Sequence, residues 1–130
     1  MLIAYPEMFA AAYPICEALG DQYVTDEDID RIKKIPIWFT HAANDPIILA
    51  DKHTVATYKR LVQAGAPEVH FSCYQSVTDN TGKYYNPDNT PYEYNGHFSW
   101  IPALNNECVL ETDSSVTLFE WLAKQKMKGC

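Results

Sequence analysis

No run of eighteen apolar residues occurs anywhere in the chain, so it contains no segment expected to cross a bilayer as a helix. Nor does it open on a basic segment leading into a hydrophobic stretch and a cleavage site, and no targeting segment is expected. Basic residues are scarce and scattered. Ten Lys and Arg stand against seventeen Asp and Glu, giving a formal net charge of −7 and a pI near 4.9. Nucleic acids and anionic membranes are polyanions that attract Lys/Arg clusters, so neither is expected as a partner. The four cysteines, Cys16, Cys73, Cys108 and Cys130, form no C-x-x-C pair. Neither a zinc site nor a thioredoxin-like motif is supported, no metal or cofactor is expected, and the compartment stays open between cytoplasm and secretion. No internal repeat is visible. What the chain does have is 47% apolar and 21% charged residues over 130 positions. That is the balance of a soluble globular fold and not of a disordered tail.

Strand and helix signals alternate along it. Residues 1–5 (MLIAY) are apolar and helix-compatible up to Pro6, which disfavours the α region for the residue before it, and are expected to be the tail of a helix. Residues 9–16 (FAAAYPIC) read as a buried strand and its exit, and the polar, acidic residues 20–34 as a surface loop with a short helical piece. The clearest strand is 35–40 (IPIWFT), a continuous β-branched and aromatic run fit for burial on both faces, closed by the turn-forming Asn44-Asp45-Pro46. Residues 50–64 carry Val55, Tyr58, Leu61 and Val62 at helical spacing and stop at Gly65 and Pro67. A strand at residues 69–74 (VHFSCY) and a closing helix at 117–126 (TLFEWLAKQK) complete the order. This alternation favours an α/β architecture, a parallel sheet with flanking helices.

Between the last strand and the last helix, residues 76–96 form a long stretch of little periodicity. Its tyrosines, Tyr84, Tyr85, Tyr92 and Tyr94, favour order, and they suit either a substrate-facing or lid role or a packed loop or hairpin. A calcium loop is not supported, because Gly82 is out of place for one. Asp45 follows the strongest strand, at the carboxyl end where parallel α/β sheets place their sites. Turn chemistry alone would also put an Asp there. His97 stands beside Gly96, which lets the chain turn sharply and present an imidazole, although a loop histidine packed on Phe98 and Trp100 is the plainer reading. His41, His53 and His70 are expected to be structural or solvent-facing, and a metal pair of His41 with Asp45 is a weaker idea.

Two segments around these residues resemble a known family. Residues 35–48 (IPIWFTHAANDPII) resemble the strand and acid turn of α/β-hydrolases in their esterase and prolyl-oligopeptidase-like branches, where the turn reads H-G-x-x-D-x-x-V. His41, Asp45 and Ile48 hold the matching places, with Ala42 where glycine is usual. His97 to Trp100 matches the H-x-x-W of the histidine loop, and residues 1–16 resemble the helix and strand that follow the nucleophile elbow. The resemblance implies a serine esterase or peptidase whose triad acid is Asp45 and whose histidine is His97. They lie 52 positions apart in the expected order, a long separation explained by the tyrosine-rich insertion.

No G-x-S-x-G elbow and no HGGG-type motif occurs, and Ser72, Ser76, Ser99, Ser114 and Ser115 all lack the strand-elbow-helix context. The whole chain, residues 1–130, is thus expected to be the C-terminal half of a catalytic domain that normally needs about 200–250 residues. It would act on a small ester or peptide as part of a larger enzyme, be inactive alone, and pair as a homo-oligomer along the face left uncovered. Tyr84, Tyr85, Tyr92, Tyr94 and Trp100 are the candidate substrate contacts. The competing expectation is a non-catalytic, self-associating or carbohydrate-binding module built on the same half-fold.

Overall fold

A computed structural model describes residues 1–127. Cys130 lies outside them, and Cys16, Cys73 and Cys108 are free thiols. Among the described residues no helix is long and apolar enough to cross a membrane.

The frame is a parallel pair of strands, β1 (Ile37–Ala42) and β2 (Val69–Tyr74), in register from Ile37↔Val69 to Ala42↔Tyr74. Every β1 residue is buried, as its unbroken apolar run requires, because both faces of the strand are covered. Successive side chains alternate between the two faces. On one face Ile37 and Phe39 pack with Ile29, Ile32, Val24 and Leu61, beneath α1 (Asp26–Ile32) and α2 (Thr54–Gln63). On the other, Trp38 packs with Trp121, Leu118, Ala103 and Cys108, beneath α3 (Trp100–Leu104) and α4 (Leu118–Lys124). Trp38 is the anchor there: its ring meets Trp121 edge-on at 5.5 Å, and its Nε1–H donates to Ser72 Oγ at 2.9 Å. The result is an α/β sandwich of helices on both faces of a parallel sheet.

Local signals set the helix ends. Thr25 with Asp28 and Thr117 with Glu120 form capping boxes that start α1 and α4. Gly65, at φ +75°, closes α2 with Gly65 and Ala66 N–H bonds to the carbonyls of Val62 and Leu61.

Three expectations need correction. Residues 1–5 make a single turn rather than the tail of a helix, with Ala4 and Tyr5 N–H both on Met1 O. The 3-10 turn Pro6–Met8 follows at once, since Pro6 has no N–H to continue a helix. Residues 9–16 are not a fully buried strand. They touch β1 in parallel only through Ala12↔Ile37 and Ile15↔Thr40, and 9–15 are half-buried; Pro14, lacking an N–H, interrupts the ladder. The helix expected at 50–64 is split into a 3-10 turn, Ala50–Lys52, and α2, because His53 has non-helical dihedrals (φ −123°, ψ −104°). The buried stripe of α2 is Thr54, Thr57 and Leu61, whereas Val62 is 49% exposed. Residues 76–96 take the second of the two forms open to them, an ordered hairpin with β3 (Val77–Thr78) antiparallel to β4 (Glu93–Tyr94). The buried Asp79 carboxylate ties it together by accepting from Thr81 Oγ1, the N–H groups of Lys83 and Tyr84, and Tyr94 OH.

The junction after residue 16 carries a buried acid. Glu17 accepts from Thr57 Oγ1 at 3.2 Å through one oxygen, while its other oxygen has no hydrogen-bond partner among the described residues. Burial pushes the Glu17 carboxyl up to about 7, with the Thr57 bond acting against it and the Asp21 charge adding to it. The folded chain therefore holds this proton where the unfolded chain, with an ordinary value of about 4.3, has lost it. Stability falls as pH rises from about 4.5 to 7 and levels off above. We expect Glu17→Gln to flatten that slope and to raise stability at pH 8 by about 1–2 kcal/mol, after allowance for solvent screening. Urea titrations at pH 4.5 and pH 8 measure it. An unchanged slope in the variant would assign the pH dependence elsewhere.

Candidate active site

Three chain segments meet at the carboxyl end of the parallel strands. The first is Cys16, which leaves the 12–15 segment in a left-handed conformation (φ +47°) that costs a non-glycine residue strain. Its N–H is held by Thr40 O at 2.9 Å. The second is the turn after β1. Asp45 is buried there, and its Oδ1 accepts from the N–H groups of Ile47 (2.8 Å) and Ile48 (3.0 Å). The third is the 3-10 turn Gly96–Phe98, started by Asn95, whose side chain accepts from the His97 N–H.

Asp45 Oδ2 receives His97 Nδ1 at 2.9 Å and His41 Nε2 at 3.1 Å. The tautomer of His41 follows from its neighbours. Nε2 also lies 2.9 Å from Ile48 O, which can only accept, so Nε2 carries the proton and Nδ1 accepts from Thr54 Oγ1 at 2.7 Å. His41 is thus a buried, fully bonded brace on the acid, in keeping with its structural reading. The Asp45 carboxylate has four donors on two oxygens. Burial pushes its carboxyl up, but the hydrogen bonds of His97 and of the Ile48 and Ile47 N–H groups outweigh that and hold it below the ordinary carboxylate range. A charged acceptor facing Nδ1 keeps the proton of the neutral ring on that nitrogen. Nε2 then holds the ring's free lone pair, and among the described residues it has no hydrogen-bond partner. A group so arranged can take a proton from a nucleophile and return it to a leaving group.

The turn and the loop touch because Gly96 has no side chain. A Cβ there would sit 2.6 Å from Asn44 O and 2.7 Å from Asn44 C. Trp100 meets the His97 ring edge-on at 5.4 Å and packs against Phe98 at 4.8 Å, so the plain reading of an aromatic-packed histidine also holds. The tyrosines are elsewhere. Tyr84, Tyr85, Tyr92 and Tyr94 line, with Lys83, an open groove of about 610 Å³ whose walls include none of Asp45, His97 or Trp100. His53 bonds Leu49 O, and His70 lies against Trp38 and Trp121 and 3.4 Å from Glu111.

Two members of the site carry no signal in the one-dimensional sequence. The Cys16 thiol lies 3.2 Å from His97 O and 2.9 Å from the Ser99 hydroxyl. Burial pushes that thiol up, with the Ser99 bond acting against it. Ser99 itself is fully buried. Cys16, Asp45 and His97 each offer one donor atom, all within 4.8 Å of one another, and could hold a cation.

No family model and no curated protein matches the chain. Among solved structures it is similar to a thermostable esterase, at 30% identity and a TM-score of 0.66 over 95% of this chain. The fold is that of an α/β-hydrolase. The chain spans 26% of the esterase's length, so what the two share is a part of the hydrolase fold, with the parallel strands and the helices on their faces.

Proposed function

We propose that this chain is the acid-and-histidine portion of a serine hydrolase that cleaves carboxylic esters or peptides by acyl transfer, with Asp45 as the acid and His97 as the general base. The observation that carries the reading is the 2.9 Å contact between His97 Nδ1 and a buried Asp45 carboxylate already fixed by His41 and two backbone N–H groups. His97 would accept the proton of the nucleophile and return it to the leaving group, while Asp45 stabilises the imidazolium formed between those steps. The nucleophile and the oxyanion donors would come from outside residues 1–130. Ser99 is buried against Cys16, Ser72 accepts from the Trp38 indole and Ser115 donates to Asp113, and among the described residues none of these hydroxyls bonds the His97 ring.

The test is covalent labelling. A fluorophosphonate probe should mark a serine outside this chain in the parent protein, whereas residues 1–130 alone should stay unlabelled and turn over p-nitrophenyl acetate no faster than buffer. Modification of Ser72, Ser76, Ser99, Ser114 or Ser115 would overturn the assignment. The groove of four tyrosines favours a second reading, the binding of a sugar-like ligand by aromatic stacking. In that case Tyr84→Ala and Tyr92→Ala would abolish glycan binding with the Asp45–His97 pair intact.

We further propose that the isolated chain pairs with a second copy. Residues 12–15 bond β1 on one side and have no ladder partner on the other among the described residues, and Met1, Met8 and Tyr23 nearby in sequence are strongly exposed. Light scattering at micromolar concentration should give about twice the 14.8 kDa mass. A strictly monomeric chain would rule the pairing out.

A further inference from the structure

We propose that Cys16, Asp45 and His97 form a binding site for a borderline-soft divalent cation, zinc above all. The inference stands on donor geometry and does not depend on the hydrolase reading. A thiol sulfur, a carboxylate oxygen and an imidazole nitrogen lie within 4.8 Å of one another. Tetrahedral zinc with bonds of about 2.0–2.3 Å places its donors roughly 3.3–3.6 Å apart. The Asp45 Oδ2 to His97 Nδ1 distance is already 2.9 Å, so side-chain movements on the order of 1 Å assemble the site.

The backbone beneath each ligand is fixed. Cys16 N–H is held by Thr40, the Asp45 turn by Ile47 and Ile48, and His97 N–H by Asn95. An outer shell is also present, because Ser99 Oγ meets the Cys16 sulfur at 2.9 Å and His41 Nε2 meets Asp45 Oδ2 at 3.1 Å. Mixed sulfur, nitrogen and oxygen donors favour zinc or cobalt over magnesium or calcium, which take oxygen alone. Three protein ligands leave a fourth position for water. Access is from the His97 side, where the imidazole is 23% exposed while the Asp45 side chain is sealed. Positions 16, 45 and 97 have no recognisable ligand spacing, and a reading of the sequence therefore expects no metal.

On binding, the thiol proton leaves to solvent. If Nδ1 is the ligand, the proton of the neutral ring moves to Nε2. Coordination at either nitrogen then removes Nε2 as a base, so in the proposed hydrolase the cation would switch activity off.

Cobalt(II) is the probe, used on the full chain carrying Cys73→Ser and Cys130→Ser, which leaves only Cys16 and the buried Cys108 as thiols. We expect one cobalt per chain, with a near-ultraviolet thiolate-to-cobalt band and the visible bands of tetrahedral cobalt, all displaced by stoichiometric zinc. Cys16→Ser keeps a hydroxyl for Ser99 and should abolish the thiolate band. His97→Gln alters only the partly exposed loop side chain and should weaken cobalt binding by at least about tenfold. A thiolate band that survives Cys16→Ser, unchanged affinity in His97→Gln, or no band in the parent double variant would each refute the site. The readout is spectroscopic, so an inactive parent enzyme with an intact band would sink the hydrolase reading alone.

Discussion

Asp45→Asn should lower kcat of the proposed parent hydrolase by about 10⁴-fold, equivalent to roughly 5.5 kcal/mol of transition-state stabilisation. The size follows from where the two halves of an amide must go. Oδ1 of Asp45 faces two backbone N–H groups, of Ile47 and Ile48, so the amide oxygen takes that side and the NH2 group takes the place of Oδ2. There it meets His97 Nδ1 and His41 Nε2. His97 can answer by moving its proton to Nε2, which makes Nδ1 an acceptor and leaves the reactive nitrogen with no lone pair to use as a base. His41 has no such freedom, because Nε2–H is committed to Ile48 O and Nδ1 to Thr54. Two donors are then forced together in a buried space, and the variant should lose about 1–3 kcal/mol of stability as well.

The pH profile separates these effects. The folded Asp45 carboxyl lies below its ordinary range, so the unfolded chain takes up this proton first as pH falls, and the stability it contributes disappears as pH drops through the folded value. That contribution is fully present above about pH 4–5 and should be missing from the variant at every pH. A folded Asp45→Asn enzyme within tenfold of the parent would show that Asp45 is turn chemistry and nothing more.

How far these residues could be seen in advance depended on the range of the interaction. The run IPIWFT declares a strand buried on both sides because its apolar side chains follow one another without alternation, and β1, which begins at Ile37 within it, is buried throughout. The turn HAANDPII and the loop GHFSW single out Asp45 and His97 because each is a local pattern. Cys16 is different. Its place beside His97 is created by the parallel contact of residues 12–15 with β1 and by a loop 81 positions away, and neither is encoded near residue 16. The break at His53 escaped for a related reason. Apolar spacing runs through it, while the bond from its ring to Leu49 O and the non-helical dihedrals that split the segment into a 3-10 turn and α2 leave no mark on that spacing. The capping boxes at Thr25 and Thr117 were local and legible, but hydrophobic periodicity does not read them. The tyrosines are the converse case. Clustering in sequence suggested a part in the catalytic site, and the hairpin that clusters them turns them into a groove of their own.

Gly96→Ala should cost about as much stability as loss of the acid, and a smaller but still large part of the rate, without altering a single charge. Glycine is required at this position by space and not by backbone conformation, since Gly96 is absent from the residues with positive φ. The nearest atom a Cβ would meet is the side-chain oxygen Oδ1 of Asn44, but the next two, Asn44 O at 2.6 Å and Asn44 C at 2.7 Å, belong to the backbone of the acid turn and cannot rotate away. Ordinary contact needs about 1 Å more, so either the turn or the histidine loop must retreat, and each carries one partner of the 2.9 Å bond. A displacement of that size in a catalytic pair costs about 10²-fold in rate, and overpacking of this kind costs about 1–3 kcal/mol in stability. Gly20→Ala is the control, because a Cβ there meets only side-chain atoms, the nearest at 3.6 Å. In proton NMR of the chain, the downfield signal of His97 Nδ1–H bonded to Asp45 should vanish or shift strongly upfield in Gly96→Ala and persist in Gly20→Ala. If Gly96→Ala keeps that signal, and its melting temperature falls no further than that of the control, then the pair is held by something other than the close approach of residues 44 and 96.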